Sequence, residues 1–289
     1  MRTSSLLDQA ESWAASLWEA ARDRWPEREG QDCNYRLHVV HPTVRSVLRK
    51  YLPERGFSVL DLGCGDGAFL DDPENRAMIG NDGSYLGVDV STELIGRACT
   101  RHGGDRVRFL EGNLGDSSTA DRISGTGIVW DAALSVFVVQ EMPDAGQFFA
   151  LLGRILPAGG LAVTVTVHPS FGEWLRNEGR METADRLAFS RPEAPELYRW
   201  AGRYPIVDDP REPFFLPYFH RTEEDYRDTF LRAGFAVREM RGIPGPETRG
   251  MLRERGISPF IPFETNRYWP RIAEEPSALL LIAVKGVEV

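Results

Sequence analysis

Residues 59–67 read Val59-Leu60-Asp61-Leu62-Gly63-Cys64-Gly65-Asp66-Gly67. A short apolar run ends around a carboxylate, and three alternating glycines follow it at once. Glycine accepts positive φ and has no Cβ, so this backbone can approach a ligand closely where a parallel sheet opens into its first helix. We therefore predict a strand and a tight turn, with a phosphate-sized or nucleoside-sized ligand across the strand ends.

Two ligand classes use such a turn, and the charges around it separate them. Gly63, Gly65 and Ala68 nearly fit the dinucleotide fingerprint G-x-G-x-x-A. Asp61 argues against a dinucleotide, because a carboxylate at this position would repel a pyrophosphate, whereas it suits the ammonium group of an amino-acid ligand, directly or through water. Asp66 adds a second unfavourable charge. An NAD-dependent oxidoreductase stays open as an alternative, although the sequence has no Tyr-x-x-x-Lys or comparable hydride-transfer set.

The glycine turn resembles the first motif of the class I S-adenosylmethionine-dependent methyltransferases. That motif reads acidic-x-Gly-x-Gly-x-Gly, and it matches Asp61, Gly63, Gly65 and Gly67. Two later segments agree with the family in order and spacing. Gly87-Val88-Asp89-Val90-Ser91 resembles the second motif, whose acidic residue takes both ribose hydroxyls, and Phe109-Leu110-Glu111-Gly112-Asn113-Leu114 resembles the segment that meets adenine.

The resemblance covers roughly residues 55–167. It extends through Trp130-Asp131-Ala132-Ala133-Leu134-Ser135, which resembles the fourth strand, the loop at 138–144 and the turn at 156–160. The segments 168–171 and 218–222 look, less specifically, like parts of small-molecule methyltransferases. The resemblance implies S-adenosylmethionine as cofactor, bound by Asp61, Gly63, Cys64, Gly65, Gly67, Asp89, Val90, Asn113, Leu114 and Ser135.

The expected fold is α/β, a Rossmann-like doubly wound sheet of seven strands in the order 3-2-1-4-5-7-6 with the last strand antiparallel. After the first strand we predict strands over 85–88, 107–110, 129–135, 161–167, 235–240 and 278–284. The predicted helices of this part are 68–70, 92–100 with Ser91 as N-cap, 145–156, and 222–233 with Thr222 as N-cap. Residues 71–84 are acidic and contain glycine, and we predict a surface loop there.

The segments on either side of this core predict a lid and a cap. Residues 4–24 and 42–51 have helical apolar stripes, and the first includes Trp13 and Trp18, which either pack on the core or wall a substrate pocket. Residues 168–220 are rich in aromatics and follow the fifth strand, where an insertion lies over the ligand crevice. We predict four parts: an N-terminal helical lid (1–54), the cofactor-binding core (55–167), the substrate cap (168–221) and the completion of the sheet (222–289), with a loop insertion at 243–276.

Methyl transfer from a sulfonium is an in-line displacement, so the protein mainly holds donor and acceptor in near-attack geometry. A base helps when the acceptor is a poorly ionised hydroxyl, an ammonium or a carbon acid. The candidate catalytic residues are His168, His220 and Glu141. Transfer to oxygen, nitrogen or carbon stays open, as does a non-catalytic nucleoside-binding role.

Other candidate roles concern the cofactor and metals. In resembling enzymes a tyrosine or arginine just before the nucleotide domain often reaches the methionine carboxylate, so Tyr35 and Arg36 are candidates, with a plain surface position equally open. Metal-assisted relatives carry acidic and amide ligands after the fourth strand. Gln140, Glu141 and Asp144 do not form a clear Asp-Asp-Asn set, and we predict no metal.

Composition restricts the partners of this chain. With 34 basic and 43 acidic residues among 289 it carries a formal charge of −9, and the absence of a long basic run disfavours a nucleic-acid substrate. The first residues are charged too early for a signal peptide, no stretch approaches a membrane span, and Cys33, Cys64 and Cys99 are too far apart for a disulfide framework. We predict a cytoplasmic monomer or homodimer that acts on a small, aromatic or apolar metabolite.

Overall fold

A computed structural model describes residues 2–21, 36–53, 56–80, 82–187, 194, 196–206, 214–244, 250 and 275–286. The central feature is a seven-stranded sheet. Its strands are β1 (Val59–Leu62), β2 (Tyr85–Asp89), β3 (Val107–Glu111), β4 (Ala132–Val136), β5 (Leu161–Val167), β9 (Phe235–Ile243) and β10 (Ala278–Lys285). Their order is β3-β2-β1-β4-β5-β10-β9, with β10 antiparallel to both neighbours. This arrangement confirms the predicted order and the antiparallel last strand.

Helices cover both faces of this sheet. They are α2 (His41–Tyr51), α3 (Pro73–Ile79), α4 (Thr92–His102), α5 (Ser117–Ser124), α6 (Ala145–Ile155) and α8 (Glu223–Arg232). Alternate residues of each strand point to opposite faces, so Leu134 packs with α2 and α3 while Ala133 packs with α5, α6 and α8. Burial on both faces explains why β10 is an almost unbroken apolar run.

The structure has the two N-cap residues that the sequence predicts, Ser91 and Thr222. The Ser91 side chain accepts a hydrogen bond from the Leu94 N–H at the start of α4. Thr222 and Asp225 form a reciprocal capping box at the start of α8, which satisfies two otherwise unpaired backbone N–H groups.

The predicted loop at 71–84 was wrong for residues 73–79, which form α3. The Asp72 side chain accepts from the Glu74 N–H at 2.8 Å, and Pro73 occupies the first turn, where its missing N–H costs nothing. Asn75, Met78 and Ile79 are buried. This helix is only two turns long, so its apolar side is too short to show a period in the sequence. The sequence also left α5 unassigned, although the Asp116 side chain caps it.

The segment after β5 forms a small second layer. It contains α7 (Pro169–Asn177) and an antiparallel sheet of β6 (Glu182–Thr183), β7 (Trp200–Ile206) and β8 (Phe214–His220). The N-terminal helix α1 (Arg2–Ala21) packs on this layer, with the Trp13 ring edge-on to Phe219 at 5.8 Å. The four-part division stays a prediction, and most of the insertion expected at 243–276 lies outside the described residues.

Within the described ranges, no helix has both the length and the apolar character needed to cross a membrane.

Candidate active site

A cavity of about 1650 Å³ opens at the carboxyl ends of β1 to β4. Because these strands are parallel, their carboxyl ends meet at one edge of the sheet, where α/β proteins bind ligands. Six of the ten residues predicted to bind the cofactor line this cavity: Gly63, Gly65, Asp89, Val90, Asn113 and Leu114.

The glycine turn is tight for the reason the sequence suggests. Gly63, Gly65 and Gly67 have φ values of 79°, 57° and 81°, in the left-handed region that side chains disfavour. A Cβ on Gly63 would stand 2.1 Å from Cγ2 of Val138, which follows β4. The turn therefore lies directly against the β4 loop, and Val138 leaves no room for a side chain at Gly63.

Asp89 organises the end of β2. One carboxylate oxygen accepts from the Gly65 N–H at 3.0 Å, and the other accepts from the Ser91 N–H at 2.9 Å. Burial raises the pKa of Asp89 above its usual value, an effect opposed by these hydrogen bonds. The next side chain, Val90, is 62% exposed although it is apolar, and it faces the cavity. A carboxylate beside an exposed apolar side chain is suited to a ligand with both hydroxyls and an apolar ring.

Asp61, Cys64, Gly67 and Ser135 lie beneath or beside the cavity wall and are not among its described lining residues. Asp61 is buried and accepts a hydrogen bond from the Tyr85 hydroxyl at 2.6 Å. Cys64 packs under the turn, since a Cβ on Gly87 would lie 2.7 Å from its Sγ. Ser135 is buried in β4, and its Oγ has no hydrogen-bond partner in the described part of the chain.

Burial of Asp61 gives a testable pH effect on stability. Burial raises its pKa from 3.8 to about 6, so at neutral pH the folded protein carries a desolvated charge that the unfolded chain hydrates. Asp61→Asn, which keeps an oxygen for Tyr85, should raise the free energy of unfolding by about 1 to 3 kcal/mol near pH 7. As pH falls from about 6 to below 3.8, the wild-type carboxyl becomes protonated in the folded state and the advantage should disappear. Urea unfolding across this pH range measures it, and a difference independent of pH would contradict this explanation.

Glu141 lies on the cavity wall in a short 3-10 turn, Val139–Glu141, that follows β4. Its Oε1 is 3.3 Å from the donating Tyr204 hydroxyl and 3.4 Å from the donating Nε2 of Gln140. Burial raises the pKa of Glu141 well above its usual value. A partly buried carboxylate held by two donors beside the cavity is suited to exchange a proton with a ligand.

The two candidate histidines lie elsewhere, near a second cavity of about 510 Å³ between α7 and the start of α8, and only His220 is among its described lining residues. His220 lines this cavity, stacked on Trp200 at a centroid distance of 4.8 Å, with its Nε2 3.3 Å from Oε1 of Glu173. Burial lowers the pKa of His220 to about 4. His168 caps α7, and its Nε2 is 3.5 Å from Oε1 of Glu223. Neither histidine is among the described residues that line the large cavity.

Several lining residues come from outside the predicted cofactor set, and only Trp18 among those of α1 was a candidate from the sequence. Helix α1 contributes Ser12, Ala15 and Trp18, and β7 contributes Tyr204. Trp18 lines the cavity and also packs against Leu216 of β8, while Trp13 packs on Phe219 of the cap. Phe137 also lines the cavity, with φ of 57°, a strained value that is common at ligand sites. The positive φ of Phe137 is visible only in the backbone geometry and not in the sequence.

Of the two candidates ahead of the core, Arg36 lines the cavity, and Tyr35 lies outside the described residues. Among the residues that the structure describes, no group of three or more His, Cys, Asp or Glu side chains could hold a metal ion.

Fold and cavity together describe an α/β protein with a ligand-sized cavity at the carboxyl ends of its parallel strands, and comparison with known proteins shows what it is similar to. Residues 59–160 match the family described as "Methyltransferase domain". The chain is 26% identical over 182 residues to a ubiquinone biosynthesis O-methyltransferase of Azorhizobium caulinodans, covering 58% of this chain and 66% of that protein. It is 30% identical over 140 residues to the nocamycin O-methyltransferase of Saccharothrix syringae, covering 48% of each. The matches thus span less than two thirds of either relative.

The fold is also that of a solved S-adenosylmethionine dependent methyltransferase from Mesorhizobium loti. The TM-score is 0.54 at 20% identity, and the alignment covers 83% of this chain and 96% of that chain. Residues 59–160 therefore match a methyltransferase domain, and the chain shares the fold of S-adenosylmethionine-dependent methyltransferases, whose cofactor is S-adenosylmethionine. The residues present fit this cofactor, because the cavity combines the turn at Gly63, which a Cβ would obstruct, with the Asp89 carboxylate and the exposed Val90.

Proposed function

We propose that the protein transfers a methyl group from S-adenosylmethionine to a hydroxyl oxygen of a small, largely apolar acceptor, with Glu141 as the general base. The observation that carries this proposal is the shared cavity. Glu141 and Tyr204 line the same space as Gly63 and Asp89. A proton acceptor and the cofactor motifs therefore share one cavity.

The size and walls of the cavity support an apolar acceptor. At about 1650 Å³ the cavity exceeds the roughly 300 to 1000 Å³ typical of a site for one drug-sized ligand, so it has room for two. Trp18 and Tyr204 approach from α1 and from the cap, and Phe137 and Met142 approach from the β4 loop. Aromatic walls of this kind favour an apolar body with few polar groups.

The proposed cofactor roles follow the motifs. Asp89 would accept hydrogen bonds from the ribose hydroxyls, and Val90 and Leu114 would contact adenine. Arg36 would contact the methionine carboxylate, and it is the one cationic side chain among the lining residues that the structure describes. Asp61, Cys64, Gly67 and Ser135 would act from behind the wall by shaping the turn.

The bound cofactor supplies an electrophilic methyl group on a sulfonium. The residues of the chain then have two tasks: to hold the acceptor close and to take its proton. Tyr204 and Gln140 both donate to Oε1 of Glu141, so they orient this carboxylate. Ionised Glu141 would accept the hydroxyl proton as the oxygen attacks.

Two further observations favour an oxygen acceptor and Glu141. The two relatives named above are both O-methyltransferases by name, and a hydroxyl is an acceptor that gains from a base. His168 and His220 remain candidates from the sequence, but both are engaged by glutamates outside the described lining of the large cavity.

The test is incubation of the purified protein with methyl-labelled S-adenosylmethionine and a panel of apolar phenols, amines and carbon acids, followed by mass spectrometry. We expect label on the oxygen of a phenol or related hydroxyl. In parallel, calorimetry should detect binding of S-adenosylhomocysteine at micromolar affinity and no binding of NAD. Label on nitrogen or carbon would overturn the acceptor proposal, and binding without transfer to any compound would favour a non-catalytic nucleoside-binding protein.

A further inference from the structure

Arg221, at the junction between the cap and the core, is a buried cation with an unusual set of partners. Its side chain is almost entirely inaccessible to solvent, at 1% exposure. Burying a guanidinium is costly unless its N–H groups are satisfied. Here they donate to five backbone carbonyls, those of Val139, Met142, Pro143, Glu196 and Phe219.

Three of these five carbonyls belong to the segment that carries Glu141. Nη2 of Arg221 lies 2.8 Å from the carbonyl oxygens of both Met142 and Pro143, and Nη1 lies 3.3 Å from that of Val139. These carbonyls flank Glu141 on both sides. The guanidinium is planar and presents its donors in a rigid fork, so it restrains the turn from both ends at once.

A chain of side chains under the turn joins the same two residues. The Tyr226 hydroxyl is close enough to Arg221 to feel its charge, and it lies 3.3 Å from Oγ1 of Thr166. Thr166 donates to Oε1 of Gln140 at 3.0 Å, and Gln140 donates to Glu141. Arg221 therefore acts on Glu141 through both the backbone and a buried polar network.

We infer that Arg221 is a positioning residue for Glu141: it holds the 139–143 turn in the conformation that presents this carboxylate to the large cavity. Because it stands at the end of β8, it also makes that conformation depend on docking of the cap. The importance of this positioning for turnover rests on the proposed function. The restraint itself is a property of the protein alone and can be measured without cofactor or acceptor.

Hydrogen–deuterium exchange of the purified full chain tests the restraint. In Arg221→Gln, amides of residues 138–144 should exchange about tenfold faster or more, while peptides covering β1 and the glycine turn keep their wild-type rates. Arg221→Lys keeps the cation but has three donors instead of five, so it should recover part of the protection.

The matched control is Arg199→Gln. Arg199 lies at the same junction but donates to both carboxylate oxygens of Asp225 and to none of the three turn carbonyls in the described contacts. This variant should lower the melting temperature without selective exchange at 138–144. If Arg221→Gln does not fold, Arg221→Lys decides the question.

Wild-type exchange at 138–144 in a folded Arg221 variant, or a uniform rise matching that of Arg199→Gln, would overturn the inference. Binding of S-adenosylhomocysteine and methyl transfer by the wild type test the proposed function separately. Selective exchange in a protein that proves inactive would keep the restraint and reject only the function.

Discussion

Glu141→Gln is expected to lower the rate of methyl transfer by about 10²-fold to 10⁴-fold, the usual contribution of a general base. Glutamine has nearly the same shape and can still accept from Tyr204, but it cannot take a proton from the acceptor. Affinity for S-adenosylhomocysteine should stay within about threefold of wild type, since the loss concerns the reaction step. Single-turnover transfer and calorimetry measure the two quantities.

The pH dependence of the wild type supplies a second readout for Glu141. Only the ionised carboxylate accepts a proton, so the rate should fall as pH drops through the pKa of Glu141. Burial has raised this pKa well above its usual value, and the decline should therefore begin at a higher pH than for an exposed glutamate. In Glu141→Gln this fall of the rate with decreasing pH should be absent.

Glu182 provides a control carboxylate for Glu141, because it lies opposite Arg203, the neighbour of Tyr204 in β7. Glu182 is exposed and accepts from Nε of Arg203 at 2.9 Å. Glu182→Gln should therefore leave the rate near wild type. His168→Ala and His220→Ala complete the set, because a loss of about 10²-fold or more in either, with Glu141→Gln near wild type, would move the base role to that histidine.

Asp89→Ala is expected to weaken binding of S-adenosylhomocysteine by about 1.5 to 3 kcal/mol, or roughly 10-fold to 150-fold. This is the range for hydrogen bonds to a charged group, and Asp89 is the carboxylate at the end of β2 that the second motif assigns to the ribose. The variant also removes the acceptor for the Gly65 and Ser91 N–H groups, so the turn itself should loosen. Calorimetry of the purified variant gives the affinity.

Two variants separate ribose binding from turn geometry. Asp89→Asn keeps one carbonyl oxygen for the turn, so a large loss of affinity with little loss of stability would identify a direct contact. Asp131→Ala removes a carboxylate that accepts from the Ser58 N–H at 2.8 Å, at the amino end of β4 on the opposite edge of the sheet. Its affinity should match wild type, and an Asp89→Ala protein that also binds normally would mean that the second motif is misassigned.

Local chemistry in the sequence was sufficient to predict the sheet and to bring six of the ten predicted cofactor residues to one cavity. The glycine turn, the acidic residue that ends β2 and the apolar run of β10 each follow from constraints on a few adjacent residues. Parallel strands then bring their carboxyl ends to one edge without further information. For this reason Gly63, Asp89 and Asn113 lie together as expected, while the two-turn helix α3 was too short to recognise.

The surroundings of the candidate catalytic residues were decided only by tertiary packing. The histidines stand at both ends of the cap in the sequence, yet the fold brings His220 to the wall of a second cavity and His168 to Glu223, which also lines that cavity. Glu141 meets Tyr204 across 63 residues, and Arg221 reaches the Met142 carbonyl across 79. No local pattern encodes such contacts, because they depend on how the cap and α1 dock on the sheet through many weak apolar contacts at once. Motifs near strand ends can therefore be recognised in the sequence, whereas the partners of Glu141 could be identified only in the folded structure.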